Sequence, residues 1–203
     1  MKFKYHRQIV DMLYHEWDLG KSASGARGKT CAWLYWLEIL SETENFVFEI
    51  QGREVVGICG YSKWKSKRHL FRKKSYGVVR KLLANSFLVK NKMAIRKYDR
   101  DYDYAPSELE DYFDGEIVVL IVNKKFRGQK IGQKLLSQTF ELARDDHMRN
   151  LQILTDESCN YKFYEHMGCK KIYEKVIPNG EPDASGKTDS EIGFIYEKVF
   201  RER

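Results

Sequence analysis

The sequence has little of what marks a secreted, metal-binding or membrane-spanning protein. Its four cysteines, Cys31, Cys59, Cys159 and Cys169, form no C-x-x-C pair, and no histidine stands at zinc-finger spacing from them. Its three prolines are too few for a long disordered linker rich in proline. No stretch approaches the ~20 apolar residues of a membrane span, and the charged first residues lack the apolar run of a signal peptide. We therefore expect a reduced, cytoplasmic protein that does not insert into a membrane.

The residues that are present indicate a globular protein with a hydrophobic core. Hydrophobic residues make up 42% of the chain and charged residues 32%, a balance typical of folded domains. We predict a single domain over residues 1–203, with an inserted segment at about 63–114. The formal net charge of +7 favours contact with anions, although a basic balance equally serves solubility. The five histidines are scattered and form no set of metal ligands.

Hydrophobic periodicity predicts a mixed α/β fold with a central sheet. Helices are predicted over His6–Trp17, Ala32–Leu40, Val78–Ile95, the segment that starts at Gly132, and Asn160–Met167. Strands are predicted over Phe46–Ile50, Glu54–Tyr61, Ile117–Val122, Leu151–Thr155, Lys171–Ile177 and Ile192–Val199. The continuous apolar run Ile117–Val122 predicts a strand that is covered on both faces. A loop is predicted over Gly20–Lys29, and Gly168 is predicted to cap the helix before it.

The strand–turn–helix unit that starts at Ile117 carries the clearest functional signal. The first turn of a helix has unpaired backbone N–H groups, and the helix dipole adds positive potential there, so an anion such as pyrophosphate fits. Gly128 and Gly132 let the backbone approach a ligand closely. Arg127 and Lys130 add positive charge beside it. A tight turn without a ligand is the alternative for this unit taken alone.

Two segments resemble the GNAT N-acetyltransferase family. Arg127–Gly132 (RGQKIG) resembles the family's R/Q-x-x-G-x-G/A motif, with Lys130 at the fourth position, where the family prefers glycine. Asn160–Cys169 (NYKFYEHMGC) resembles the later N…FYE-x-x-GF segment, with Cys169 in place of the usual phenylalanine. The resemblance covers Gly115 to about Val176, and the first half of the chain matches only in outline. It implies a GNAT-type acyl-CoA N-acyltransferase fold, whose mostly antiparallel sheet is flanked by helices.

The resemblance also implies a reaction and a cofactor site. Acetyl-CoA would be the cosubstrate, and a primary amine would attack its acetyl group directly in a ternary complex. Leu120 and Val122 would bind the pantetheine arm through backbone groups, with their side chains in the core, and Asn160 would contact the same arm. The pyrophosphate would be held by the backbone N–H groups of Arg127, Gly128, Gln129, Lys130, Ile131, Gly132 and Gln133.

Two residues are implied as catalytic groups. Tyr164 matches the family tyrosine that protonates the departing CoA thiolate, and half-buried packing is its alternative role. Glu116 resembles by position the general base of histone-type members, and a solvated charge at the end of a strand is its alternative. Asp156 and Glu157 are weaker candidates for the base. Many family members use water chains in place of a dedicated base.

An acidic and aromatic segment, Tyr98–Glu116, directly precedes the predicted cofactor strand. Clustered carboxylates attract a cationic amine and aromatic rings pack on its carbon chain, so a positively charged small amine is our hypothesis for the acceptor. An ordinary solvated loop is the alternative. Whether the acceptor is a small molecule or a protein, whether the acyl group is longer than acetyl, and whether a homodimer forms all stay open. The carboxylates of the segment are Asp99, Asp101, Asp103, Glu108, Glu110, Asp111 and Asp114.

Two further patterns point to other functions. The basic run Lys63–Lys74 interleaves cations with aromatic residues, as nucleic-acid-binding segments do, but such a run is more often a solvated face. We therefore do not expect nucleic acid as a partner. Ser24–Thr30 ends in GKT like a phosphate-binding P-loop, but Ala23 stands where the pattern needs its first glycine, and no apolar strand precedes it. A non-catalytic acyl-CoA sensor and a basic nucleic-acid-binding protein stay alternatives to the enzyme.

Overall fold

The computed structural model describes residues 3–17, 19, 26–64, 66, 78, 106–109, 111–179 and 189–200. The predicted mixed α/β architecture is confirmed, with a six-stranded sheet flanked by helices. The helices are α1 (Phe3–Glu16), α2 (Ala26–Glu42), α3 (Ile131–Asp145) and α4 (Lys162–His166). The strands are β1 (Asn45–Gln51), β2 (Glu54–Lys63), β3 (Gly115–Val122), β4 (Asn150–Asp156), β5 (Lys170–Asn179) and β6 (Asp189–Val199).

The chain forms two compact units, and the first contains α1, α2, β1, β2, α3 and β3 from Ile117 onward. In this unit β1 and β2 form an antiparallel hairpin, and β3 follows β2 in the sheet. The hairpin closes over two residues, of which Gly52 has a φ of +61°, a left-handed value that favours glycine. Helix α1 packs on α2 and β2, which buries apolar side chains such as Ile9, Leu13, Trp36 and Ile58.

Helix α3 lies against the β1–β2 hairpin and is fixed near both of its ends. At its beginning, a Cβ atom on Gly57 would stand 2.9 Å from Leu135 Cδ1 and 3.2 Å from Ile131 Cγ2, so the lack of a side chain at Gly57 permits the close approach. Also near the beginning, Lys134 Nζ pairs with the Glu49 carboxylate at 2.7 Å. At its end, the buried Tyr61 hydroxyl donates to Asp146 Oδ2 over 2.6 Å. The start of α3 therefore has a defined place on the sheet.

The apolar strand β3 forms as predicted, but its two faces differ in burial. Ile117, Val119 and Ile121 are buried, whereas Val118, Leu120 and Val122 are half-buried. The prediction that both faces are covered, and that Leu120 and Val122 lie in the core, is therefore too strong. A continuous apolar run does not distinguish a strand with two buried faces from one whose second face is partly open.

The second unit contains β4, α4, β5, β6 and the described residues just before Ile117, which are 106–109 and 111–116. Here β6 lies between β4 and β5 and pairs antiparallel with both. Helix α4 ends in a Schellman motif, in which the Gly168 N–H donates to the Glu165 carbonyl (2.9 Å) and the Cys169 N–H to the Tyr164 carbonyl (3.0 Å). Gly168 has a φ of +72°, which confirms it as the predicted capping glycine.

One predicted loop is partly wrong. Helix α2 begins at Ala26, so residues 26–29 of the predicted loop Gly20–Lys29 are helical, because Ala, Arg and Lys all favour helix. Gly28, Lys29 and Thr30 therefore lie in a helix rather than in a phosphate-binding loop. The basic run beyond Ser66, the predicted helix Val78–Ile95 apart from Val78, residues 99–105 and residue 110 lie outside the described residues. In the described part of the chain, the helices are too short or too polar to cross a bilayer.

Candidate active site

The first residues of the loop between β3 and α3 have backbone N–H groups that are hydrogen-bonded within the protein. The Asn123 N–H donates to the Val56 carbonyl of β2 (2.9 Å), and the Asn123 side chain accepts from the Lys125 N–H (3.1 Å). The Phe126 N–H donates to the Asn123 carbonyl (2.9 Å), which closes a 3₁₀ turn over Lys124–Phe126. The chain that leads to α3 is therefore anchored to the sheet before it reaches Arg127.

Glu16, in the last turn of α1, contacts the same loop at two points. Its Oε1 accepts from the Lys124 N–H (2.9 Å), and its Oε2 forms an ion pair with the Arg127 guanidinium. The Glu16 side chain is only 6% exposed. Arg127 also donates from Nε to the Val122 carbonyl (3.3 Å) and from its N–H to the Lys124 carbonyl (3.3 Å). Arg127, the first residue of the motif, is thus bound by the protein through both its side chain and its N–H.

The backbone N–H groups that follow Arg127 differ from that of Arg127 in their hydrogen bonding. The Lys134 N–H makes the first helical bond, to the Lys130 carbonyl (3.0 Å), and Lys130 gives no side-chain cap. The first turn of α3 contains no acidic residue. Among the described residues, none accepts from the N–H groups of Gly128, Gln129 or Lys130. Because the next N–H groups also lack an intrahelical partner, residues 128–133 present a row of donors at the positive end of the helix dipole.

The backbone conformation explains the one departure from the motif. Lys130 has φ 58° and ψ 15°, which is left-handed, and Gly128 has a φ of +81°. Glycine adopts this region without strain, whereas a residue with a Cβ pays for it. Lys130 therefore keeps the conformation that suits the family's glycine while having a side chain. Gly128, Gln129, Lys130 and Gln133 are exposed, Gly132 is half-buried, and Ile131 is buried in the core.

Strand β3 places the predicted base and the predicted pantetheine-binding positions on one face. Successive side chains of a strand alternate between faces, so Glu116, Val118, Leu120 and Val122 share a side. All four are half-buried, in contrast to the buried residues between them. Glu116 is the second residue of the strand. The half-buried face is therefore the one that carries a carboxylate at its beginning and ends at the loop before α3.

Tyr164 lies in the short helix α4 and is half-buried. Its ring centroid is 5.7 Å from that of Tyr196 and 5.5 Å from that of Phe163. Tyr196, which is fully buried, donates from its hydroxyl to Glu165 Oε1 (2.9 Å), and burial raises the pKa of Tyr196. The bond to Tyr196 ties α4 to β6, and the Schellman motif closes the end of the helix, so both help to fix the position of Tyr164.

The segment between β4 and α4 is shaped by the two weaker base candidates. Asp156 is buried, and its Oδ1 accepts from the Ser158 N–H (2.8 Å) and from the Ser158 hydroxyl. Glu157 Oε1 accepts from the Ile192 N–H of β6 (2.9 Å). Asp156 therefore stabilises the turn after β4, and Glu157 ties that turn to β6. Asn160 follows them and is exposed, with its carbonyl accepting from the Phe163 N–H (3.0 Å).

One carboxylate of the acidic segment is bound by a neighbour. Asp114 accepts from the Arg149 backbone N–H (2.6 Å) and from its guanidinium Nη2 (2.7 Å). Because this pairing closes the turn before β4, Asp114 acts as a structural residue rather than as a free charge for an amine. Glu108 and Asp111 are exposed, and Asp99, Asp101, Asp103 and Glu110 lie outside the described residues.

Comparison with known proteins places the chain in a family. Residues 10–169 match the model of the acetyltransferase (GNAT) family. Among solved structures, an aminoglycoside 6'-N-acetyltransferase complexed with coenzyme A has 15% identity and a TM-score of 0.56, over 100% of this chain and 94% of that one. Arylalkylamine N-acetyltransferase 2 from Aedes aegypti has 18% identity and a TM-score of 0.56, over 98% and 96%. These identities show a shared fold alone. No curated protein matches the chain.

Glu16 is the residue of this site that sequence reasoning missed. Its contacts with Lys124 and Arg127 join residues more than a hundred positions apart, and no local pattern signals them.

The donor row of residues 128–133 fits the diphosphate of CoA, because its N–H groups are uncapped and it contains no carboxylate. The comparisons confirm the predicted family and the GNAT-type fold. The chain belongs to the acetyltransferase (GNAT) family and is an N-acetyltransferase.

Proposed function

We propose that this enzyme transfers the acetyl group of acetyl-CoA to a primary amine by direct attack in a ternary complex. The observation that carries the proposal is the row of uncapped backbone donors at the start of α3 in a member of this family. In the proposal, residues 128–133 bind the diphosphate through their N–H groups, and the side chain of Lys130 adds positive charge. Residues 1–203 act as one GNAT domain, with an insert at 63–114.

The remaining cofactor contacts come from β3 and from the segment before α4. Leu120 and Val122 bind the pantetheine arm through backbone groups, as an added strand would be bound. Their half-buried side chains support this role, because that face of β3 is not sealed in the core. Asn160 contacts the same arm through its amide, and its exposure leaves the side chain accessible.

Two side chains move the protons of the reaction. Glu116 accepts a proton from the attacking amine, directly or through water, as the N–C bond forms. Tyr164 donates its phenolic proton to the CoA sulfur as the C–S bond breaks. The products are one amide and one thiol. The proton that Glu116 gains and the proton that Tyr164 loses balance each other, and exchange with solvent returns both side chains to their starting states. The half-buried position of both residues supports these roles, because each side chain is partly shielded from solvent and still accessible to a substrate.

The acceptor in this proposal is a small amine that carries a positive charge. The support is the carboxylate-rich sequence of the segment that precedes β3, because clustered negative charge attracts a cation. Asp114 is not part of this support, since it pairs with Arg149. Replacing both Asp101 and Asp103 with Asn is expected to raise the KM for a cationic amine while the KM for acetyl-CoA stays unchanged. An unchanged amine KM in this double variant would remove the support for a cationic acceptor.

Thiol release tests the proposed reaction. The purified protein is incubated with acetyl-CoA and, one at a time, with aminoglycosides, arylalkylamines, polyamines and peptides with a free N-terminus. Thiol production above the rate without amine is expected for at least one primary amine, with stoichiometric formation of the amide. Binding of acetyl-CoA without thiol release from any amine of the panel would favour a sensor over an enzyme.

A further inference from the structure

We infer that Glu16 is a positioning residue for acetyl-CoA, which acts by holding the β3–α3 loop so that the donor row of residues 128–133 stays in place. This inference rests on the proposed role of those donors. Glu16 is far from the donor row in sequence and belongs to another element, α1. Its effect on the cofactor is therefore exerted through Lys124 and Arg127.

The contacts of Glu16 hold the loop at both ends of its 3₁₀ turn. Oε1 accepts from the N–H of Lys124, which begins the turn, and Oε2 binds the side chain of Arg127, which follows it. The next residue, Gly128, is the first of the donor row. Without Glu16, the contacts that the described residues give the chain just before Gly128 with the sheet would be the Asn123 N–H bond to the Val56 carbonyl and the 3.3 Å bond from Arg127 Nε to the Val122 carbonyl.

The pairing with Glu16 also gives the side chain of Arg127, the first residue of the motif, a structural role. Burying a carboxylate is costly unless a cation and hydrogen bonds compensate for it, and Arg127 and the Lys124 N–H supply both. The guanidinium is directed toward Glu16 and the Val122 carbonyl. Arg127 therefore serves the cofactor site by fixing the loop rather than by contacting the diphosphate with its side chain.

This arrangement lowers the cost of binding the cofactor. A row of donors that is already ordered needs little further ordering when an anion binds, whereas a loosened loop must be ordered at that moment. The effect falls on cofactor affinity and not on the chemical step, because Glu16 contacts no residue assigned to proton transfer. Loss of Glu16 is thus expected to weaken acetyl-CoA binding with kcat preserved.

A double-mutant cycle tests this inference. E16Q keeps an acceptor for the Lys124 N–H and removes the charge, E16A removes both contacts, and R127Q removes the partner. We expect E16A to raise the KM for acetyl-CoA and the Kd for CoA about tenfold, with kcat and the amine KM within about twofold. E16Q and R127Q are expected to give similar, smaller losses, and the double variant E16Q/R127Q no more than the larger of them, because both act through one pair.

Asp11→Asn is the matched control, since Asp11 lies on the same helix and forms an exposed ion pair with Lys29 (3.4 Å). It is expected to leave the KM for acetyl-CoA unchanged. E16Q keeps the inference testable if E16A does not fold. Unchanged CoA affinity in both Glu16 variants, a loss of kcat without a change in KM, or additive losses in the double variant would overturn the inference. Absence of CoA binding by the unmutated protein would instead contradict the proposed function.

Discussion

The indole N–H of Trp36 donates a hydrogen bond to Nδ1 of His6 over 2.8 Å and thereby joins α2 to α1. Trp36 is fully buried, so its donor has no water as an alternative partner. The bond requires an unprotonated Nδ1, and burial lowers the pKa of His6 below its ordinary value of 6.5. The first of our predictions follows from this pair.

The free energy of unfolding should fall as the pH is lowered below about 6.5, because the unfolded chain then binds a proton at His6 that the folded protein excludes. The stabilisation is fully present above that pH and is lost toward the lower pKa of the folded state. His6→Gln keeps an acceptor for Trp36 but cannot titrate. Urea unfolding from pH 5 to 8 should therefore show a shallower pH dependence in His6→Gln. Equal slopes in the two proteins would contradict this assignment.

Lys130→Gly should stabilise the protein, because the left-handed φ of Lys130 costs a residue with a Cβ about 1–2 kcal/mol. The added freedom of glycine in the unfolded chain offsets about 0.4–1 kcal/mol, which leaves a gain of roughly 0.5–1 kcal/mol. Gln129→Gly is the matched control, since Gln129 is not among the described residues with positive φ and should lose stability. Denaturant unfolding of the two variants measures the difference. If the free energy of unfolding of the Lys130→Gly variant is no higher than that of Gln129→Gly, the backbone of Lys130 is not strained.

Gly128→Ala and Gly52→Ala separate backbone strain from ligand contact. Both glycines have positive φ, and a Cβ atom at either would meet no protein atom within 4 Å. Each substitution should therefore cost about 1 kcal/mol of stability. Only Gly128→Ala should also weaken CoA binding, by about tenfold, because its methyl group stands beside the donor row. Titration calorimetry with CoA distinguishes the two, and equal affinities in both variants would count against a ligand at Gly128.

Tyr164→Phe should lower kcat by about 10²–10⁴-fold, the usual contribution of a general acid, with little change in the KM for acetyl-CoA. Tyr173→Phe is the control, since Tyr173 is also half-buried in the second unit and is assigned no role. The kcat of both variants is measured by steady-state thiol release, with the amine of the panel that the unmutated enzyme acetylates fastest. Equal kcat values would leave Tyr164 with a packing role only.

Glu116→Gln should lower kcat by about 10²-fold or more and remove the acidic limb of the pH–rate profile, because a neutral amide cannot accept the proton of the amine. Glu141→Gln, at an exposed carboxylate of α3 to which no role is assigned, is expected to match the unmutated enzyme. An unchanged pH–rate profile in Glu116→Gln would point to a water chain in place of this base.

The sequence predicted those parts of the fold that depend on local periodicity. β3 and α3 were predicted because a run of apolar residues and a helical apolar face each report on a single element. The start of α2 was missed because the loop signals of glycine and serine outweighed the helix propensity of Ala26 and its neighbours. The family's motif predicted backbone donors from Arg127 onward, whereas the Arg127 N–H donates to the Lys124 carbonyl and the donor row starts at Gly128.

The rest of the candidate site depends on contacts between distant residues, which local patterns do not report. Glu16 binds Arg127, 111 positions away, and Asp114 binds Arg149 across 35 positions. The contact with Arg127 adds Glu16 to the candidate site. The contact with Arg149 removes Asp114 from the carboxylates that were predicted to attract the amine. The left-handed backbone of Lys130 is likewise set by the turn into α3 and not by the preference of lysine.

The most direct test of the account is a titration of ¹⁵N-labelled protein with CoA, followed by amide NMR. The largest shifts should occur at the N–H groups of residues 128–133, which have no carbonyl partner among the residues that the structure describes. Those of Lys124, Lys125 and Phe126 should move little, since each already donates to a protein oxygen. Saturable binding of CoA without shifts at residues 128–133 would contradict the claim that these main-chain donors hold its diphosphate.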